Sequence, residues 1–140
     1  HYVNIHDGSF MLITGEPPIW NDEWEARVQP AISAHGKGHP VDEMANQRIG
    51  DYEGFKDYQR AVFSRTQAHL ESMDPKDFLR VVIAKPYPPE VATTYSARCA
   101  GDAGITVLDA FECWHYQHGL RHMGEIKLAR GFLGLSRMTA

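Results

Sequence analysis

The segment that most constrains the fold is the amphipathic stretch of residues 51–73. Its larger side chains recur at the i, i+3, i+4 spacing that places them on one stripe of an α-helix. The residues of this stripe are Tyr52, Phe55, Gln59, Val62, Phe63, Thr66, Leu70 and Met73. The pattern predicts one long helix with a buried face.

A second helix is expected at the start of the sequence, over residues 1–14. The cluster Gly15-Glu16-Pro17-Pro18 ends it, because glycine and proline interrupt helical backbone. No capping residue precedes Tyr2, so we expect this helix to begin upstream of the sequence.

A third helix is expected near the other end, from about Val107 to about Arg130. Thr106 and Asp109 form a capping-box pattern at its start, and glycines at 131 and 134 are expected to end it. Three substantial helices with few strands predict an all-α bundle that is apparently short of one helix. We expect residues 1–140 to form a single domain.

The segments between these helices are expected to be shorter and less regular. Residues 20–50 hold two tryptophans and then a loop-like stretch, with a short helix over 41–47. Asp74 and Pro75 predict a short helix through Leu79. A short strand is expected at residues 81–83.

Composition and charge exclude several classes of partner. Lys+Arg 14 against Asp+Glu 18 gives a net charge of −4, which provides no basic surface for nucleic acid or an anionic membrane. The longest apolar run, Phe10 to Ile13, is far shorter than the roughly 20 residues that span a bilayer. With only two cysteines, no disulfide framework is expected, and we interpret Cys99 and Cys113 as reduced thiols of a cytoplasmic protein.

Histidines are concentrated on the predicted last helix. At 100° per residue, four side chains fall within a sector of about 80°: His115, His118, His122 and Glu125. His118 and His122 are one turn apart, a spacing at which two imidazoles can bind one metal ion. Phe111 and Ile126 lie on the same side, so we expect this face to point into the core.

A third metal ligand has to come from elsewhere in the chain, and the candidates are His1, His6, His35, His39 and His69. His1 shares a helical stripe with Ile5, Gly8 and Leu12, whereas His6 is expected to face outward or sideways. The alternative interpretation is a polar seam in which the histidines bond to each other and to Glu125. Gly119 rules out the HExxH motif of zinc proteases.

Three runs of the sequence resemble the DinB-like superfamily. WHYQHGLRHMGEIKLARGFLGL resembles its last helix, which carries H-x-x-x-H, a following Glu and a Gly-Leu ending. HYVNIHDGSFMLITGEP resembles the second helix, whose histidine supplies the first metal ligand. DYEGFKDYQRAVFSRTQAHLESMDPKDFLR resembles the third helix and the turn after it.

This resemblance implies a four-helix bundle in an up-down-down-up arrangement, usually dimeric, with a divalent metal held by three histidines. The matching ligands are His1, His118 and His122. Family members carry another helix before the first of these histidines, and we expect that helix to be missing from this sequence.

The resemblance also implies a chemistry. Family members include transferases and isomerases that use mycothiol, bacillithiol or a similar small thiol. A bound Zn, Ni or Fe ion would lower the pKa of the thiol, and the resulting thiolate would attack an electrophile. His115 or Glu125 would then fix imidazole tautomers or move protons.

Two other functions remain open at this stage. A non-catalytic metal-binding or structural dimeric bundle would be indicated by a fourth protein ligand, since closed tetrahedral sites are structural. A copper site built on an N-terminal histidine is disfavoured by the helical periodicity.

Overall fold

A computed structural model describes residues 1–33 and 39–135 of the chain. The fold is mostly helical, at 65%, with one small two-stranded sheet, which confirms the expectation of a largely all-α protein. The backbone packs as two compact units, one of His1 with Val3–Pro75 and one of Tyr2 with Lys76–Ala140. The assignment of residues 1–140 to a single domain stays a prediction.

The first unit is built from helices. Its helical segments are α1 (Tyr2–Thr14), α2 (Asp22–Val28), α3 (Val41–Met44) and α4 (Tyr52–Ser72). The first residue of α1, Tyr2, is grouped with the second unit. Helix α2 was not predicted, although Asn21 caps it by accepting a hydrogen bond from the Trp24 amide at 3.0 Å. Gly15 ends α1 as predicted, in the left-handed conformation with φ of 82°.

The buried face of α1 differs from the predicted stripe. The buried side chains are Val3, His6, Asp7, Phe10 and Ile13. Leu12, which shares the stripe of His1, is 47% exposed. The prediction was wrong because His6 and Asp7 find polar partners in the interior, and hydrogen-bonded polar groups can be buried at little cost.

Helix α4 confirms the predicted long helix, with its buried stripe shifted. Gly54, Tyr58, Val62 and Thr66 are buried, whereas Tyr52 is 63% exposed. A Cβ atom at Gly54 would lie 3.0 Å from the Arg27 carbonyl oxygen of α2. Helix α2 therefore packs against α4 at a glycine. A pattern of hydrophobic residues does not predict a contact made at a glycine.

The second unit combines short helices with the sheet. Its segments are a 3₁₀-helix that begins at the boundary (Pro75–Leu79), β1 (Val81–Ala84), α5 (Pro89–Ala92), α6 (Tyr95–Cys99), β2 (Gly104–Thr106), α7 (Val107–Ala110), a π-helical segment (Phe111–Gln117) and α8 (His118–Phe132). β1 and β2 are antiparallel and pair Val81 with Thr106 and Ala84 with Gly104. Strand β1 and the short helix after Asp74 confirm the predictions, whereas β2 was not expected.

The predicted last helix is present, in a modified form. The capping box of Thr106 and Asp109 starts α7 as expected, and helical backbone continues through the π-helical segment to Phe132. Ile126 is 54% exposed, so the expectation that this face lies in the core is wrong. Within the described ranges, none of the helices has both the length and the apolar character needed to cross a membrane.

Candidate metal centre

His118 and His122 occupy the first turn of α8, where the helix brings their rings together. The ring centroids are 4.6 Å apart, and the two Nε2 atoms lie 2.9 Å from each other. Both side chains are half-buried. The two histidines predicted from the one-turn spacing therefore lie side by side, and Nε2 of each ring faces Nε2 of the other.

The other nitrogen of each ring already has a partner. Nδ1 of His122 lies 2.7 Å from Oε2 of Glu125, a carboxylate that can only accept, so this nitrogen donates. His118 bonds to the backbone of Trp114, one turn earlier, and since its Nε2 faces His122 the bonding nitrogen is Nδ1. The two rings therefore turn their Nε2 atoms toward each other, in a geometry that suits either a shared hydrogen bond or joint binding of one metal ion.

The environment of His118 favours its neutral form. Burial lowers the pKa of His118 below its ordinary value of 6.5, and the neighbouring His122 and Arg121 lower it further. The imidazole is therefore neutral near pH 7, which is the form that binds metals.

Tyr2 and Gly119 support the histidine pair, and sequence reasoning missed both. The Tyr2 ring meets His118 edge-on at 5.7 Å, and its hydroxyl donates to the His115 carbonyl at 3.0 Å. A Cβ atom at position 119 would lie 2.8 Å from the Tyr2 hydroxyl oxygen. Gly119, noted in the sequence only for excluding HExxH, is the residue that lets this ring approach.

His1 completes a group of three possible ligands. His1, His118 and His122 each offer one ligand atom, and these atoms all lie within 4.8 Å of one another. His1 is exposed. The three residues named from the sequence thus form a group that could hold a metal ion.

His115 lies apart from this group, although the sequence placed it on the same face. It is buried, and its ring packs edge-on against Phe111 at 5.0 Å. The residue belongs to the π-helical segment, where the backbone bonds are i→i+5 and a wheel of 100° per residue does not apply. Its carbonyl, which accepts from Tyr2, connects it to the site.

The remaining ligand candidates are placed elsewhere. His6 is buried with Nε2 at 2.8 Å from Thr66 Oγ1, so its predicted outward direction is wrong. His69 packs edge-on against Phe10, and His39 is exposed beside Glu43. His35 lies outside the described residues.

The cysteines are also separate from the group. Cys99 is exposed and Cys113 buried, and both are free thiols. Burial raises the pKa of the Cys113 thiol to about 11, with the Cys99 thiol adding to the effect. Cys113 is therefore protonated at neutral pH, and metals bind the thiolate form.

Comparison with known proteins adds no relative: no family model, curated protein or solved structure matches this chain. The donor set itself decides which metals fit. Imidazole nitrogen suits zinc, nickel and iron, and within the described part of the chain the group contains three histidines and no carboxylate or thiolate. These residues fit a divalent transition metal.

Proposed function

We propose that this chain binds a divalent transition metal (Zn, Ni or Fe) through His1, His118 and His122, and that it is a thiol-dependent transferase or isomerase. The observation that carries the metal site is the pair of Nε2 atoms facing each other at 2.9 Å while both Nδ1 atoms are already bonded. A metal ion satisfies two lone pairs in this arrangement, and His1 supplies a third imidazole.

The surrounding residues have positioning roles in this proposal. Glu125 accepts from Nδ1 of His122 and so holds the tautomer whose Nε2 is a ligand. The backbone of Trp114 does the same for His118, and the Tyr2 ring limits its rotation. These contacts prepare the ligand atoms before the metal arrives.

Three neutral protein ligands favour catalysis over a purely structural site, because structural zinc is usually bound by four protein ligands and catalytic zinc by three. The bound metal would lower the pKa of a small thiol such as mycothiol, so that thiolate is available at neutral pH. The choice of a thiol as the cofactor rests on the resemblance of the sequence to the DinB-like superfamily.

The proposal includes a DinB-like four-helix bundle that forms a homodimer in the cytoplasm. Helix α8 supports an association of this kind, because several of its large apolar side chains are exposed: Leu120, Met123, Ile126, Leu128 and Phe132. Two free thiols suit a reducing compartment. Light scattering of the purified chain at several concentrations tests the dimer.

Metal titration tests the site. Metal-free protein is titrated with Zn²⁺ and Ni²⁺ by calorimetry, alongside His118→Ala, His122→Ala and the exposed control His39→Ala. We expect one ion per chain, an affinity at least about 100-fold weaker in the first two variants, and no change in the control. Equal affinity in all four proteins would overturn the site.

A turnover assay tests the chemistry. Metal-loaded protein is mixed with mycothiol or bacillithiol and 1-chloro-2,4-dinitrobenzene. The thiolate sulfur bonds to the ring carbon, chloride leaves with the electron pair, and the thiol proton passes to buffer. Metal-dependent turnover supports the transferase, whereas metal binding without turnover across a panel of thiols and electrophiles supports the non-catalytic bundle.

A further inference from the structure

The first unit contains a cavity of about 370 Å³, within the range of roughly 300–1,000 Å³ found for small-molecule sites. Three aromatic rings line it, those of Trp20, Phe55 and Tyr58. Trp20 and Tyr58 pack edge to face with centroids 4.9 Å apart, and Tyr58 is only 2% exposed. Aliphatic side chains, Ile49 among them, complete much of the remaining wall.

The polar side chains in this wall are engaged within the protein. The Gln47 amide accepts from the Ile32 backbone nitrogen at 3.0 Å and donates to the Ile32 carbonyl at 2.7 Å. The Tyr58 hydroxyl donates to Asp7 at 2.9 Å and also bonds to Asn4. Tyr58 therefore offers the cavity its ring, with its hydroxyl already used.

Charge is the second property of the wall. Among its lining residues, which all belong to the described ranges, none is Asp, Glu, Lys or Arg. Away from His1, the one lining residue whose side chain can become cationic, a charged ligand group would lose its hydration without gaining an opposite charge, which is costly. The interior therefore favours uncharged, apolar groups, and the aromatic rings favour a flat one.

His1 lines this cavity and is also one of the three histidines proposed to bind the metal. We propose that the cavity binds the uncharged aromatic part of an electrophilic substrate, with the reactive atom at the end marked by His1. The position of the reactive end rests on the proposed function, whereas the binding of an uncharged aromatic group rests on the cavity alone.

Two probes that differ by a single charge test the specificity. N-phenyl-1-naphthylamine is uncharged, and 1-anilinonaphthalene-8-sulfonate is the same ring system with a sulfonate. Fluorescence titration of the metal-free full chain is expected to give saturable binding, at least about tenfold tighter for the uncharged probe. Equal affinity, tighter binding of the sulfonate, or no saturable binding would overturn the proposal.

Variants locate the binding. Ile49→Trp adds bulk to the cavity wall, and Val41→Trp adds the same bulk at a side chain that is 87% exposed and does not line the cavity. We expect at least about tenfold weaker binding of the uncharged probe to the first variant and unchanged binding to the second. Met44→Trp, also in the wall, repeats the test if circular dichroism shows that Ile49→Trp is unfolded. Wild-type affinity in the folded cavity variants contradicts the assignment.

The double variant His118→Ala/His122→Ala separates this proposal from the metal site. It is expected to lose metal affinity while it binds N-phenyl-1-naphthylamine as the wild type does. Probe binding confined to the cavity supports this inference even where the wild type binds no metal. Conversely, metal binding without probe binding leaves the proposed metal site standing and overturns the aromatic-group site.

Discussion

Two polar clusters in this chain differ in whether the protein supplies the charge that balances them. In the first unit, the fully buried Asp7 carboxylate accepts from the backbone nitrogens of Ile19 and Trp20, from the Tyr58 hydroxyl and from Arg65. In the second unit, the Nε2 atoms of His118 and His122 face each other at 2.9 Å. The carboxylate is neutralised by a cation of the protein itself, whereas the imidazole pair presents two nitrogens to a site that could hold a metal ion.

The difference indicates what each cluster does. Asp7 ties the loop at residues 19–20 and helix α4 to α1, and Arg65 in addition lies over the Phe10 ring at 4.3 Å. Burial and the negative charge of Asp7 both raise the pKa of Tyr58, so its hydroxyl stays protonated as a donor. A cluster with balanced charge and satisfied donors stabilises the fold, whereas two convergent imidazoles suit metal binding.

The largest expected effect is loss of the Asp7 charge. Asp7→Asn keeps the shape but leaves Arg65 without its anion, and breaking a buried ion pair costs about 3–5 kcal/mol of unfolding free energy. Asp57→Asn is the matched control, because its ion pairs with Arg27 and Arg60 are exposed, and we expect a loss below about 1 kcal/mol. Urea unfolding measures both, and similar losses would mean that the Asp7 cluster is not the structural anchor.

The next effect concerns the space beside the histidine pair. Gly119→Ala forces the Tyr2 ring to move, and overpacking of this kind costs about 1–3 kcal/mol. Gly124→Ala on the same helix meets no atom within 4 Å, so it is expected to gain up to about 1 kcal/mol from helix propensity. Thermal unfolding of the two variants should shift in opposite directions, and shifts of the same sign would contradict the close packing of Tyr2.

A smaller effect is expected from the carboxylate that orients His122. Glu125→Gln weakens the acceptor of the Nδ1 proton, and changes of this kind lower metal affinity about tenfold or more. Glu53→Gln, an exposed carboxylate paired with Lys56, serves as the control. Zinc titration of both variants is the measurement. Wild-type affinity in Glu125→Gln would show that the contact does not prepare the ligand.

The smallest effect is a pH dependence of stability in metal-free protein. Because the folded-state pKa of His118 is lowered, folding favours the neutral ring. The stability that the neutral His118 ring contributes is fully present above the pKa of the unfolded chain, about 6.5. It is lost as the pH falls through the lowered pKa of the folded protein. Unfolding free energies near pH 7.5 and 5.5, with chelator present, should differ more in the wild type than in His118→Gln. An equal difference in the two proteins would exclude His118 as the source.

Local signals in the sequence predicted local structure well. The capping box of Thr106 and Asp109, the glycine after α1 and the one-turn spacing of His118 and His122 depend only on near neighbours, and the structure contains all three. The resemblance to the DinB-like superfamily implied His1, His118 and His122 as metal ligands; their ligand atoms form a group that could hold a metal ion, and their role as ligands stays a prediction.

Features that depend on distant partners were not predictable in the same way. The buried face of α1 is set by Asp7 and His6, whose partners Arg65 and Thr66 lie about sixty residues away. Strand β2 exists because it pairs with β1. The hydrophobic periodicity of a single sequence gives no information about such long-range contacts.

Because of the π-helical segment Phe111–Gln117, the last helix is expected to tolerate a one-residue deletion better within that segment than next to it. Such a segment holds one more residue than regular α-helical backbone needs. Removing one residue there is expected to restore ordinary α-helix and leave the spacing of the histidines intact. Removing one residue between His118 and His122 would change their spacing from i,i+4 to i,i+3, which turns one ring by about 100° around the helix axis relative to the other and breaks the present Nε2–Nε2 contact. The chain therefore has one spare residue of length directly beside the stretch that sets the spacing of the two histidines.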